Sequence, residues 1–449
     1  MSSLSAAKSA NVQSPFRFRS IFKNAAPLPV FGSRTVIWFQ SEMRITAAAF
    51  NTAKESFMKS GNAIYTMAIV LSLMLGTPIW LPAQNQPAGY VISNLGTLGG
   101  AASAGNAINT LGWVIGVANL PGDQTAHATL WRNGAKIDLG TLGGPNSAVD
   151  WPVHNDRGMI AGISETSALD PMGETWSCRF FFPSQTGHTC RGFVWQNGVM
   201  TALPTLGGNN GYAAGMNNLD QVVGWAETPV HDPTCNPPQV LQFEAVLYGP
   251  APGQIQVLSP LTGDPDSAAT AINNRAQAIG ISGLCANAVG GLTAQHAVLW
   301  QDGIPTDIGN LGGAAWNTPT AINNAGAVVG FSDLPGDENG QNINFHAFLW
   351  TKQGGIRDLG ALPGDTISEA LGINDHGQVV GESCTDNTFA NCRAFLWQNG
   401  AMVDLNSLTA PGAPFLIFAN DINNRGEIAG EAFIQSTGEA PAFLAVPSR

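Results

Sequence analysis

The sequence predicts an all-β chain, a seven-bladed β-propeller of four-stranded antiparallel blades closed by the N-terminal strand. Three observations carry that expectation. An imperfect repeat of roughly fifty residues runs through positions 90–447 in seven copies. Each copy holds short apolar runs separated by turn residues, too little to bury its own faces, which is the condition of a propeller blade. The last copy lacks its final run, and a spare one precedes the first copy.

The elements follow in chain order. The first motif reads AINTLGWVIG (107–116), VHNDRGMIAG (153–162), GMNNLDQVVG (215–224), AINNRAQAIG (271–280), AINNAGAVVG (321–330), GINDHGQVVG (372–381) and DINNRGEIAG (421–430). Apolar pairs flank an Asn-x-x-Gly turn, in which Asn tolerates and Gly favours positive φ, so each motif is a hairpin of strands a and b. Its first Asn is Asn109, Asn155, Asn217, Asn273, Asn323, Asn374 or Asn423. An Asn at a hairpin start can bond its own backbone, so the expected role is structural. Strand c is the run HATLW (127–131), RGFVW (191–195), EAVLY (244–248), HAVLW (296–300), HAFLW (346–350), RAFLW (393–397) or PAFLA (441–445). Its closing Trp131, Trp195, Trp300, Trp350 and Trp397 have the flat shape that fills a wedge between blades. Strand d is the Asp-Leu-Gly run, as in DLGTLGG (138–144), after which Gly-Gly reverses the chain. The spare strand d, YVISNLGTLGG (90–100), is expected to complete the last blade and close the ring.

These motifs resemble the HAF-repeat family of probable extracellular bacterial proteins, named for its His-Ala-Phe triplet. The resemblance covers 90–447 and implies the repeat fold and an external location, with no activity to carry over. The histidine is kept at His127, His296 and His346 and replaced by Arg191, Glu244, Arg393 and Pro441, so it is not obligatory. Three histidines in three blades cannot converge on one metal.

Upstream of the repeat, Lys59 precedes an uncharged run at 63–81, and a polar stretch starts at Gln84. This is the pattern of a secretory signal peptide at 58–83, cleaved after Ala83, with 1–57 a disordered extension or mis-assigned start and 84–449 the propeller. An uncleaved membrane anchor is the alternative; Gly76, Thr77 and Pro78 interrupt the run and speak against it. Residues 84–449 hold 11 Lys/Arg and 29 Asp/Glu, a net of −18 that repels phosphate backbones and argues against nucleic acid as a partner. A monomer is expected.

All six cysteines fall between strands b and c. In an exported chain an even count favours disulfides, and the loop positions pair Cys178 with Cys190, Cys235 with Cys285 and Cys384 with Cys392. Signatures of nucleophile elbows, zinc proteases, P-loops and dinucleotide sites are absent. The segment 333–344 is rich in the oxygen ligands that calcium takes, yet lacks EF-hand spacing; a solvated loop is expected there, and no cofactor is called for.

Insertions collect in the b–c loops, and variable loops on a rigid scaffold are where binding resides. The b–c face is therefore the expected ligand surface. Candidate contacts are Trp176 on the long second-blade loop, and Asp150, Trp151, Tyr212, Trp316 and Glu369, which break the small-residue pattern on or beside inner strands, as Asp421 also does. The expected function is a non-catalytic binding or adhesion module for a glycan, peptide or surface component. A polysaccharide hydrolase or lyase and a purely structural surface protein remain open, because propellers host all three.

Overall fold

A computed structural model describes residues 89–448, apart from 154, 175–180, 185, 252, 289–294, 314 and 337–343. The expected leader, Trp176 and Cys178 lie outside the described residues, as does most of the segment expected to be a solvated loop.

Seven four-stranded antiparallel sheets form a ring of seven blades. Blade 1 runs through Ser103–Ile108 (strand a), Val114–Asn119 (b), Ala126–Arg132 (c) and Ala135–Asp138 (d). The next five blades repeat this order within the chain. In the seventh sheet Phe415–Ile422, Ile428–Phe433 and Ala442–Pro447 are joined by Tyr90–Asn94, which pairs antiparallel with Ala442–Pro447 from Tyr90 opposite Pro447 to Asn94 opposite Phe443.

The repeat's conserved spacing has a steric origin in the inner hairpin. In blades 1, 3, 4, 5, 6 and 7 strand a carries a one-residue bulge opposite the closing glycine of the motif. A Cβ on that glycine would lie 1.9 Å from the Ala104 carbonyl oxygen at Gly116 and 1.8 Å from the Glu369 carbonyl oxygen at Gly381. Only Gly lets the two backbones approach so closely.

The core lies between blades rather than within them. Trp300 packs with Val223, Ala245 and Leu258 of the preceding blade, and Trp350 and Trp397 close the following interfaces with Ile279 and Val329. Each strand-c tryptophan is buried, as the flat-wedge expectation requires.

Candidate functional site

In this antiparallel order the a–b turns share one end of the ring and the b–c loops share the other. At the a–b end, Asn109 Oδ1 accepts from the backbone N–H of Leu111 and of Trp113, both at 3.0 Å, which holds the turn as expected. Its Nδ2 does more: it donates to the Asn155 carbonyl of the next blade at 3.2 Å. The same bond runs from Asn155 to Asn217, Asn217 to Asn273, Asn273 to Asn323, Asn323 to Asn374, Asn374 to Asn423 and Asn423 back to Asn109, each at 2.9–3.1 Å. The seven asparagines thus form a closed inter-blade circuit.

A second circuit sits on top of it. The backbone N–H of Thr110 donates to Asp156 Oδ1, Asp156 to Asn218, Asn218 to Asn274, Asn274 to Asn324, Asn324 to Asp375 and Asp375 to Asn424. These turns line a shallow open funnel. Its amides are engaged by the scaffold, so the a–b end reads as a fastening.

The repeated histidines are structural as well. His127 Nδ1 meets the strand-d Asp138 at 2.9 Å, and His346 Nδ1 meets Asp358 at 3.0 Å. His296 turns to Asp264 at 2.8 Å. Where the histidine is replaced by Arg393, the guanidinium reaches Asp404 at 3.2 Å and Asp365 at 2.9 Å. A side-chain nitrogen joined to an aspartate is the shared feature, which explains the exchange of His for Arg at Arg393.

At the b–c end the expected ligand contacts separate. Trp316 is 0% and Tyr212 2% exposed, so neither ring can stack on a ligand at the surface. Trp316 packs on Phe345 at 5.6 Å, and Tyr212 meets Phe181 of the second-blade loop at 4.9 Å. That loop's Phe182 is buried in the same cluster, against which Trp151 is half-buried. These aromatics pack one blade over its neighbour. Asp150 and Glu369 are inner-ring carboxyls, each pushed up to about 8 by burial, and stand in blades 2 and 6. Asp421 belongs to the junction of blades 7 and 1, where its Oδ2 accepts from Ile108 N–H at 2.8 Å.

Two disulfides are formed as expected, Cys235–Cys285 between blades 3 and 4 and Cys384–Cys392 within blade 6. Cys285 N–H also donates to Thr234 Oγ1, and Ala286 N–H to the Thr234 carbonyl. Strand b is extended in blades 2 and 3, as Ile160–Leu169 and Val222–His231, and raises two ribbons at this end. Leu169, Met172, Val230 and Leu284 are exposed there, at the b–c end of three consecutive blades.

A polar layer at the start of strand a was not anticipated. Asn146, Asn210 and Asp266 each use Oδ1 to accept, at 2.9 Å, a backbone N–H from strand c of the preceding blade (Ala126, Cys190 and Phe243). The free end of each amide donates to a buried carboxylate: Asn146 Nδ2 to Glu165 at 2.8 Å, and Asn210 Nδ2 to Glu227 at 3.1 Å. Glu227 is pushed up to about 7 by burial and by the nearby Glu174. Asn210 and Asp266 stand seven positions before the repeat Asn, a spacing readable in the sequence but outside the turn-centred motifs.

No protein-family model matches the chain, and no characterised protein matches it in sequence. Its fold is similar to that of Pyrococcus horikoshii acylaminoacyl peptidase, at 11% identity and a TM-score of 0.44, over 77% of this chain and 51% of that one. It is also similar to an oligogalacturonate lyase in complex with manganese, at 10% identity and a TM-score of 0.47, over 81% of this chain and 97% of that one. A third likeness is Porphyromonas gingivalis dipeptidyl peptidase 4, at 10% identity and a TM-score of 0.31, over 74% and 45%. The chain spans about half the length of the peptidases it matches.

Proposed function

We propose that this protein is an exported, non-catalytic binding module that recognises a peptide or a protein component of a cell surface through the b–c end of blades 2–4. The observation that carries this reading is the placement of exposed aliphatic side chains. Leu169, Val230 and Leu284 stand at that end of three consecutive blades, beside the Cys235–Cys285 staple. Ordering a loop before binding lowers the entropy lost on contact, and exposed apolar groups on an ordered frame favour association. The disulfides support an oxidising compartment. Among the described residues no helix is long and apolar enough to cross a membrane.

A peptide and glycan array probed with the full chain identifies the ligand class. Leu169→Asp and Val230→Asp should each weaken capture about tenfold or more, since a charge placed in a desolvated contact is costly. Leu111→Asp and Leu219→Asp, at exposed aliphatics of the a–b turns, should leave capture unchanged. Equal losses from both pairs would overturn the assignment of the face. Turnover of an array glycan would make the protein a hydrolase or lyase instead.

A further inference from the structure

Charge is divided unevenly between the two ends of the ring. The a–b and c–d turns share one end, and the b–c loops and the crossovers between blades share the other. Among the described residues, Arg132, Lys136, Arg157, Arg275, Lys352 and Arg425 stand in or beside a–b or c–d turns, and Arg357 lies near the start of strand d, just past such a turn. Acids balance them there: Arg157 pairs with Asp220 at 2.7 Å and Arg425 with Glu427 at 2.6 Å. The b–c end holds Arg191 and Arg393 in the first half of strand c, and Arg393 is already joined to Asp365 and Asp404. Against them, Asp138, Asp307 and Asp358 lie exposed on the last part of strand d, and Asp386 and Glu439 lie exposed in b–c loops. The undescribed residues between strands b and c add Arg179 against Asp337 and Glu338. The negative charge of the chain is gathered at the b–c end.

Within that acidic end, the exposed aliphatics occupy ground with little charge of its own. Across 167–173 and 229–238 the exposed residues are aliphatic, proline, glycine or small and uncharged, with His231 the only one that titrates. The two aspartates of these spans are used by the loops themselves. Asp170 Oδ1 accepts from Met172 and Glu174 N–H, and Asp232 Oδ1 from Thr234 N–H. The three blades are also tied together here. Glu174 Oε1 accepts from Val240 and Leu241 N–H, which joins the blade 2 loop to blade 3, and Cys235–Cys285 joins blade 3 to blade 4. Leu169, Met172, Val230 and Leu284 therefore stand on one continuous frame.

An apolar patch in an acidic surround selects its partner by charge. An acidic segment is repelled before it reaches the aliphatics, whereas a basic one is drawn toward them. We infer that the partner of this face is a cationic peptide segment of a protein, with aliphatic side chains flanked by Lys or Arg. The inference rests on the peptide-binding reading above and names the chemistry of its ligand. The aliphatic contacts govern how slowly the segment leaves, and the acidic rim governs how fast it arrives.

The test uses the full oxidised chain and fluorescence anisotropy of labelled Leu/Lys, Leu/Gln and Leu/Glu peptides of equal length. At low salt Leu/Lys should bind at least about tenfold more tightly than Leu/Gln, and Leu/Glu should not bind. Raising salt from about 0.02 M to about 0.3 M shortens the range of charge interactions severalfold, so most of the Leu/Lys advantage should vanish. Asp138→Asn combined with Asp307→Asn keeps the oxygens that accept from Gly140 and Gly309 N–H. That double variant should slow Leu/Lys association about threefold and leave dissociation unchanged. Leu169→Ser and Val230→Ser alter no charge and should each speed dissociation about tenfold. Leu111→Ser and Leu219→Ser, at the other end, should change neither rate. Leu/Lys binding that ignores Leu169 and Val230 would be adventitious attraction to an acidic surface and would overturn the inference, as would no binding of any of the three peptides. Equal affinity for Leu/Lys and Leu/Gln, lost in Leu169→Ser, would overturn it while leaving the binding face in place. An array ligand whose capture ignores Leu169 and Val230 sinks the face itself, so the two failures are told apart.

Discussion

Gly381 closes the sixth hairpin motif, and the space at its Cα is already taken by the Glu369 carbonyl oxygen. Gly381→Ala must push the bulged strand aside, at a cost on the order of 3 kcal/mol read from urea midpoints. The turn position of the same motif behaves oppositely. Ala276 holds φ at 57°, where five of the other copies have glycine and the third has Asp220. Ala276→Gly relieves a left-handed Ala and should stabilise by about 1 kcal/mol. An unchanged midpoint for both would show that the repeat glycines are not placed by sterics. The turn glycines were legible in the sequence because a tight hairpin needs positive φ locally. The reason for the closing glycine was not, since it depends on a carbonyl on the partner strand. Tyr212 and Trp316 were misread for a related reason: aromatics on an inner strand look the same in sequence whether they face a mouth or a neighbouring blade.

At the scale of strands, the repeat boundaries were readable because each unit carries its own turns, and the six intact units fold as blades from contiguous chain. Tyr90–Asn94 is the exception, pairing with Ala442–Pro447 at the far end of the sequence. Deleting 84–100 from the full chain should leave that edge unpaired and shift the protein toward concentration-dependent aggregation in light scattering, because an open strand templates pairing. A monodisperse, equally stable product would show that the outer strand is dispensable. The b–c loops were legible as places of variation but not in what they do. Whether Phe181 packs on Tyr212 or faces solvent depends on the neighbouring blade, which local sequence does not encode.

Across the whole molecule, buried acids in several blades give stability a common pH dependence. Asp150, Glu369 and Glu431 are each pushed up to about 8 by burial, from ordinary values of 3.8 and 4.5. The folded state then holds protons that the unfolded chain releases, so stability is complete below the ordinary carboxyl range and falls as pH rises toward 8. Urea midpoints measured from pH 5 to 8.5 in chelator should decline, and Glu369→Gln should flatten part of that decline. A flat wild-type profile would mean that these carboxyls are solvated in solution.

The paired circuits at the a–b end act together as a hoop. The inner circuit is complete, so strain at one junction is carried around the ring rather than by that junction alone. The outer circuit has a gap between Asn424 and Thr110, because threonine carries no carboxamide oxygen for the next N–H. That gap falls at the junction of blades 7 and 1, which the chain crosses between Tyr90–Asn94 in blade 7 and Ser103–Ile108 in blade 1. Asp421 answers it there: its carboxylate grips Ile108 N–H across the same junction, at a position held by alanine or glycine in blades 1 and 3–6. The hoop gives up one rivet at its join and gains another beside it.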